Sequence, residues 1–181
     1  MTRAIILAAG ESKRLDDPRG CPKCFRQIGD VTVLESLTAR LGSLSVTIVI
    51  NEDWPLKYQQ LVSKLGRVLL VEPGRNVGHT MATGLRDDNS SAFIFNADNF
   101  VPPGAGLWLP HPGSALFDPW EWITIWHAFP WWADHLEATC DDRVEYLAQG
   151  HVPFFLRRTG WININRTEDL LRAKVVAKAR A

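Results

Sequence analysis

Apolar and polar positions run along this 181-residue chain in short blocks, each of a length suited to one strand or one helix. Ala4 to Ala8 is an unbroken apolar run, the pattern of a parallel strand buried on both faces. It ends at Ala9-Gly10, where small side chains leave the backbone open to a ligand. Thr32-Val33-Leu34-Glu35 forms a Thr-x-x-Glu capping box, after which Leu34, Leu37 and Leu41 recur at helical spacing until Gly42 stops them. Val46 to Ile50 is again apolar and β-branched, residues 56–65 read as a short helix, and Val68 to Val71 as a third strand. Strands and helices alternating over short connections predict a parallel α/β sheet, whose ligands sit beyond the carboxyl ends of the strands.

The pattern continues less regularly. Residues 72–85 are glycine-containing, and His79 or Thr80 is expected to begin a helix whose free N–H groups face the first loop. Ala92 to Phe100 is a hydrophobic strand carrying one isolated carboxylate, Asp98, near its end. Glu121 to Trp126 reads as a strand, and Asp134 to Gly150 as one helix with Leu136, Val144 and Leu147 turned inward. Val152 to Leu156 follows as a strand. A last strand near Gly160 to Asn165 leads to a final helix ending in Lys174, Lys178 and Arg180. One domain over residues 1–181 is expected, a three-layer α/β/α arrangement around a mostly parallel mixed sheet.

Charge narrows the partners. Lys plus Arg and Asp plus Glu number 20 each, so the chain has no overall electrostatic footprint for nucleic acid or a membrane surface, and small partners are expected. The N-terminal apolar run is too short for a signal segment or a bilayer span, so a cytoplasmic protein is expected; a homo-oligomer stays open. Three cysteines do not make a disulfide framework. Cys21 and Cys24 form a CxxC, which reads as a redox pair or half of a zinc site; Cys140 with His135 and His151 completes no convincing ligand set, so the thiols are expected to pack or stay reduced.

The chemistry-bearing residues begin at the first turn. Lys13, Arg14 and Lys23 follow Gly10 in a polar loop, and a strand running into a glycine turn and then a basic loop offers backbone donors and fixed positive charge to phosphates. Neither a P-loop nor GxGxxG is present. Asp98, at the end of a buried strand, is a candidate ligand for a divalent cation, which would compensate its desolvation. The segment 102–132 contains Trp108, Trp120, Trp122, Trp126, Trp131 and Trp132. Most of these are expected to fill a core or an interface, the alternative being an aromatic wall edged by His111 or His127.

Leu7-Ala8-Ala9-Gly10, Arg14-Leu15 and Pro22-Lys23 resemble the opening signature LAAGxGxRL…PK of nucleotidyltransferases with a glycosyltransferase-A-like fold, with Ser12 in place of a second glycine. Thr80 and Gly84-Leu85 keep the spacing of the family's second nucleotide segment. Asp98 matches its metal-binding aspartate, and Asn163-Ile164-Asn165 resembles its closing NINTPEDL. The resemblance implies a nucleotide-diphospho-sugar transferase, Rossmann-like fold. Its residues 1–100 would bind nucleotide, and 101–181 would bind the acceptor and complete the metal site. It implies that Leu7, Ala8, Ala9, Gly10, Glu11 and Ser12 hold the nucleotide, and that Asn76, Gly78 and Thr80 touch base or ribose; a glycine-rich turn before a capped helix is the alternative for these three. Arg14 and Lys23 would be catalytic, and Asp98 with Asn165 would hold Mg²⁺, Asn163 remaining an alternative to Asn165.

The expected activity is Mg²⁺-dependent transfer of NMP from an NTP to a small phosphorylated or phosphonate acceptor, with pyrophosphate released. Similarity to small cytidylyltransferases favours CTP, while the closing segment and the length also resemble molybdenum-cofactor transferases. A catalytically degenerate nucleotide-binding sensor of the same fold is the alternative.

Overall fold

A computed structural model describes residues 3–10, 21–42 and 44–180. In chain order come β1 (Arg3–Leu7), a hairpin of β2 (Gln27–Ile28) and β3 (Val31–Thr32), α1 (Val33–Leu41), β4 (Val46–Asn51), α2 (Leu56–Val62) and β5 (Arg67–Val71). Then follow α3 (Val77–Arg86), β6 (Ala92–Asn96), β7 (Asn99–Phe100), β8 (Ala115–Asp118), β9 (Ile123–Ala128), α4 (Ala133–Thr139), α5 (Arg143–Ala148), β10 (Phe154–Leu156), β11 (Ile162–Asn163) and α6 (Thr167–Arg180). Seven strands make one sheet in the order β10-β8-β9-β6-β1-β4-β5. β1 pairs parallel with β4 and with β6, and β4 with β5; β9 alone reverses direction, running antiparallel to both β6 and β8.

Alternating side chains of the central strands feed two cores. Ala4, Ile6, Ile48, Ile50 and Phe95 meet Leu34, Leu37 and Leu41 of α1 on one face. Ile5, Leu7, Val49 and Ile94 meet Met81 and Leu85 of α3 and Leu136 of α4 on the other. These two faces are why the Ala4 to Leu7 run of β1 and the Ile48 to Ile50 run of β4 are apolar at consecutive positions. The expected fold class is therefore the one observed: a mostly parallel mixed sheet layered by helices on both sides. The capping box is also formed. Thr32 Oγ1 accepts from the Glu35 N–H, and the Glu35 carboxylate accepts from the Thr32 N–H at 2.7 Å.

Several boundaries differ from the sequence reading. α3 starts at Val77 with Asn76 as its N-cap, not at His79 or Thr80, because the Asn76 side chain accepts from the His79 N–H at 2.8 Å. The single helix expected over 134–150 is two. Cys140 leaves helical geometry with its carbonyl receiving the Gly78 N–H at 2.8 Å, and Asp142 restarts the helix by accepting from Val144 and Glu145 N–H groups. Restarting at Asp142 also rotates the apolar face, so that Arg143 is buried while Val144 is only half-buried. The strand expected at 121–126 lies at 123–128, and β8, too short to leave a pattern, lies between β9 and β10. Of the six tryptophans expected mostly in a core or an interface, only Trp126 is fully buried in the core; Trp120, Trp122 and Trp131 are exposed. Trp120 and Trp122 lie in the connection between β8 and β9, and Trp131 and Trp132 follow β9.

Candidate active site

A cleft opens at the carboxyl ends of β1 and β6. Leu7, Ala8, Ala9 and Gly10 form one wall, Pro22, Lys23 and Cys24 another, Arg75, Val77 and Thr80 a third, and Asn96, Ala97 and Asp98 the floor. The fold brings these together because β1 and β6 are neighbours in register, Leu7 opposite Asn96, and the Ala97 N–H donates to the Leu7 carbonyl at 3.0 Å. That hydrogen bond extends the ladder by one residue, the chain then turns at Ala97-Asp98, and Asp98 borders the cleft.

At the floor, the Lys23 ammonium donates to Asp98 Oδ2 at 3.2 Å and to Asn165 Oδ1 at 3.0 Å. Three residues separated by most of the chain thus converge, the third because Ile164 N–H donates to the Asp98 carbonyl at 2.8 Å and docks the start of α6 there. Asp98 Oδ1 is buried and accepts no hydrogen bond among the described residues, and neither does Asn163 Oδ1. A buried carboxylate oxygen without a donor is costly unless a cation meets it.

Among the described residues no group of three His, Cys, Asp or Glu side chains could hold an ion. One carboxylate with an orphaned oxygen, and the amide oxygen of Asn165 joined to it through Lys23, nevertheless fit an ion that prefers oxygen ligands and takes the rest of its shell from phosphates and water. Cys24 offers no thiolate. It is buried, and burial raises its thiol pKa well above the usual range, with the Asp98 charge adding to the effect.

The other expected residues divide. Leu7, Ala8, Ala9, Gly10, Lys23, Thr80 and Asp98 border the cleft; Asn165 reaches it through Lys23. Glu11, Ser12 and Arg14 lie outside the described residues. Asn76 and Gly78 do not line the cleft. The Asn76 amide donates to Asp141 at 2.7 Å, and Gly78 faces α4, where an added Cβ would come within 2.1 Å of the Leu136 carbonyl oxygen. The first-turn N–H groups expected to be free are largely committed: Gly78 to Cys140, His79 to the Asn76 side chain and Thr80 to the Asn76 carbonyl. Sequence reasoning missed Asn96, Arg75 and Val77. Recognising Asn76 as the N-cap would have placed Val77 and Arg75 at the mouth of the helix, whereas no local signal distinguishes Asn96.

A strand-end carboxylate, a lysine from an adjoining loop and a small-residue turn thus meet at the carboxyl edge of one sheet, where α/β folds bind their ligands. The chain belongs to the MobA-like NTP transferase domain family, which matches residues 4–105. Nucleotidyl transfer is the activity that this membership supports, with a nucleoside triphosphate as substrate. No curated protein matches the sequence. A Methanothermobacter nucleotidyl transferase is similar in structure with a TM-score of 0.68 at 15% identity, covering 100% of this chain and 99% of the other. The CTP:phosphocholine cytidylyltransferase of Streptococcus pneumoniae gives 0.67 at 14% identity, covering 97% and 98%. Molybdopterin-guanine dinucleotide biosynthesis protein A of Archaeoglobus fulgidus gives 0.65 at 15% identity, covering 99% and 100%. At these identities the likeness is one of fold. Among the described residues no helix is long and apolar enough to cross a membrane.

Proposed function

We propose that this chain is a cytoplasmic, Mg²⁺-dependent nucleotidyltransferase that transfers NMP, with CMP favoured, to the phosphate or phosphonate of a small acceptor. The observation that carries the reading is Asp98: one oxygen is bridged by Lys23 to Asn165, and the other is buried on the cleft floor without a donor. An acceptor oxygen attacks the α-phosphorus, the new P–O bond forms as the α–β bridge breaks, and pyrophosphate leaves. Such a reaction is accelerated mainly by positioning and by charge placed in advance.

The β1 turn, Leu7 to Gly10, lies against the nucleotide, with Thr80 across the cleft; Glu11 and Ser12 are assigned to nucleotide binding from the opening signature alone. Asn76 and Gly78 shape this wall through α3 and are not assigned a direct contact. Asp98 and Asn165 are the proposed metal ligands. Asn163, whose Oδ1 is buried and unpartnered, is the other candidate for the second place. Bound there, Mg²⁺ supplies neutralisation of phosphate charge. Lys23 holds the two ligand side chains in register and, with triphosphate present, turns its ammonium to the α-phosphate or the attacking group. Arg14 steadies the departing pyrophosphate. On this reading residues 1–100 bind nucleotide and 101–181 bind the acceptor and complete the ion site. The preference for CTP rests on the opening Ala-Ala-Gly and Pro-Lys together with the Thr80 to Gly84-Leu85 spacing.

A second reading has one observation in its favour. Lys23 already places a positive charge between Asp98 and Asn165, as suits a nucleotide sensor that needs no metal and performs no turnover. Incubating the protein with each of the four NTPs, Mg²⁺ and a panel of phosphorylated and phosphonate alcohols, with pyrophosphate release followed by coupled pyrophosphatase, separates the two. Turnover that is fastest with CTP is expected. Tight NTP binding without pyrophosphate from any pair supports the sensor and removes the enzyme reading.

A further inference from the structure

Arg143 is a buried cation that the reading above leaves without a task. α5 carries it against the sheet, where its Nη1 donates to Asn96 Oδ1 at 2.6 Å and its Nη2 donates to the Thr124 carbonyl at 3.0 Å. A weaker contact reaches the Ile94 carbonyl, and the guanidinium lies 5.4 Å from the Trp126 ring centroid. Among the described residues its hydrogen-bond partners are all neutral; burial lowers its pKa to about 9, against a smaller opposing pull from the charges of Asp98 and Asp142. A guanidinium buried on neutral partners is expensive and reads as more than packing.

What it holds is Asn96, the last residue of β6, on the cleft floor beside Ala97 and Asp98. A guanidinium has only donors, so the atom of the Asn96 amide that faces it must be the oxygen. The NH₂ group is therefore turned away from Arg143. It has no partner among the described residues and is not among their buried orphaned atoms, so it is accessible, on a residue that lines the cleft. An asparagine in solvent can flip its amide to suit a donor or an acceptor; this one cannot.

We propose that Asn96 is a specificity-determining ligand contact, a one-way hydrogen-bond donor to an oxygen acceptor of the bound nucleotide, and that Arg143 is its positioning residue. This rests on the nucleotidyltransferase reading of the cleft and deepens it. The floor accepts a phosphate, hydroxyl or carbonyl oxygen opposite Asn96 and rejects an amino group there, because two N–H groups would then face each other.

Arg143→Met would free the amide, but removing a buried cation endangers folding, so the test uses Asn96. Asn96→Ala deletes the donor without adding charge. Asn96→Asp keeps an oxygen on Arg143 and turns an acceptor to the cleft. Binding of CTP, cytidine and tripolyphosphate is measured by calorimetry alongside thermal unfolding. Expected are an approximately 5–10-fold weaker Kd for CTP with Asn96→Ala, a larger loss with Asn96→Asp, and a Tm for Asn96→Asp at or above wild type. Loss retained with tripolyphosphate places the oxygen on the phosphates, and loss retained with cytidine places it on the nucleoside. A purely structural Asn96 would instead move Tm and leave Kd alone, which overturns the proposal. If the wild type binds none of the four NTPs, the reading of the cleft falls and this inference with it; if it binds and both variants bind equally well, only the inference falls.

Discussion

Gly78 decides whether the first turn of α3 touches nucleotide or serves only to pack. Its N–H donates to the Cys140 carbonyl at 2.8 Å, and a Cβ there would meet the Leu136 oxygen at 2.1 Å, the Cys140 oxygen at 2.6 Å and the Leu136 carbonyl carbon at 3.0 Å. All three are backbone atoms, so no side chain can rotate away. In Gly78→Ala, α3 and α4 must separate by about 1 Å to restore ordinary contact, at an overpacking cost of roughly 1–3 kcal/mol. The stretched Gly78 to Cys140 hydrogen bond adds about 1 kcal/mol, and the better helix propensity of alanine returns about the same. The net loss of roughly 1–3 kcal/mol corresponds to about 2–12 °C in Tm for a chain of this size. Circular dichroism melts of wild type and Gly78→Ala measure it, with CTP affinity determined on the folded proteins. A Tm within about 1 °C of wild type would refute the packing argument. A weakened Kd at unchanged Tm would return Gly78 to the nucleotide.

Three further outcomes are expected. Asp98→Ala should reduce turnover by a factor on the order of 10³, since it removes the carboxylate from the floor and leaves Lys23 with Asn165; a rate within twofold of wild type would take Asp98 out of the mechanism. Asp118 is fully buried and accepts from Thr159 N–H at 2.7 Å, Thr159 Oγ1 at 2.8 Å and Trp120 N–H at 3.1 Å, so Asp118→Ala strands three donors. A loss of about 3 kcal/mol in urea unfolding is expected, and a midpoint that does not move would show that the segment after β8 re-forms without it. Burial lowers the His127 pKa below its ordinary 6.5, and its Nδ1 accepts from the Gly113 N–H, which requires the neutral ring. The unfolded chain then takes up a proton first. The His127 contribution to stability should be complete above about pH 6.5 and decline as pH falls below it, until the folded ring also titrates. His127→Gln should flatten that part of the Tm profile, and an unchanged slope would place its origin elsewhere.

The elements legible in the sequence were those whose reason for forming is local. β1 and β4 announce themselves because two buried faces demand consecutive apolar residues at their centres, and α1 because Thr32 and Glu35 close the capping box within four residues. The glycine turn and the Asp98 strand end were legible for the same reason: β1 and β6 end where the chain becomes small and polar. Elements whose limits depend on distant partners were not. The break between α4 and α5 exists because the Gly78 N–H, more than sixty residues earlier, takes the Cys140 carbonyl, and nothing in 134–150 alone forbids one helix. β8 is four residues long and acquires its identity from β9 and β10 on either side.

The candidate site divides along the same line. From its own residues the chain determined a parallel α/β sheet, a phosphate-suited turn after β1 and a single carboxylate at the end of β6, since strand burial, backbone freedom at Gly10 and the scarcity of charge inside a strand are all read within a few positions. Tertiary structure alone decided that Lys23 lies between Asp98 and Asn165, that Gly78 is turned to α4 rather than to the cleft, and that Arg143 orients the Asn96 amide. Those contacts join residues tens of positions apart, and hydrogen-bond direction between them is set by which strands and helices become neighbours, which no local pattern records.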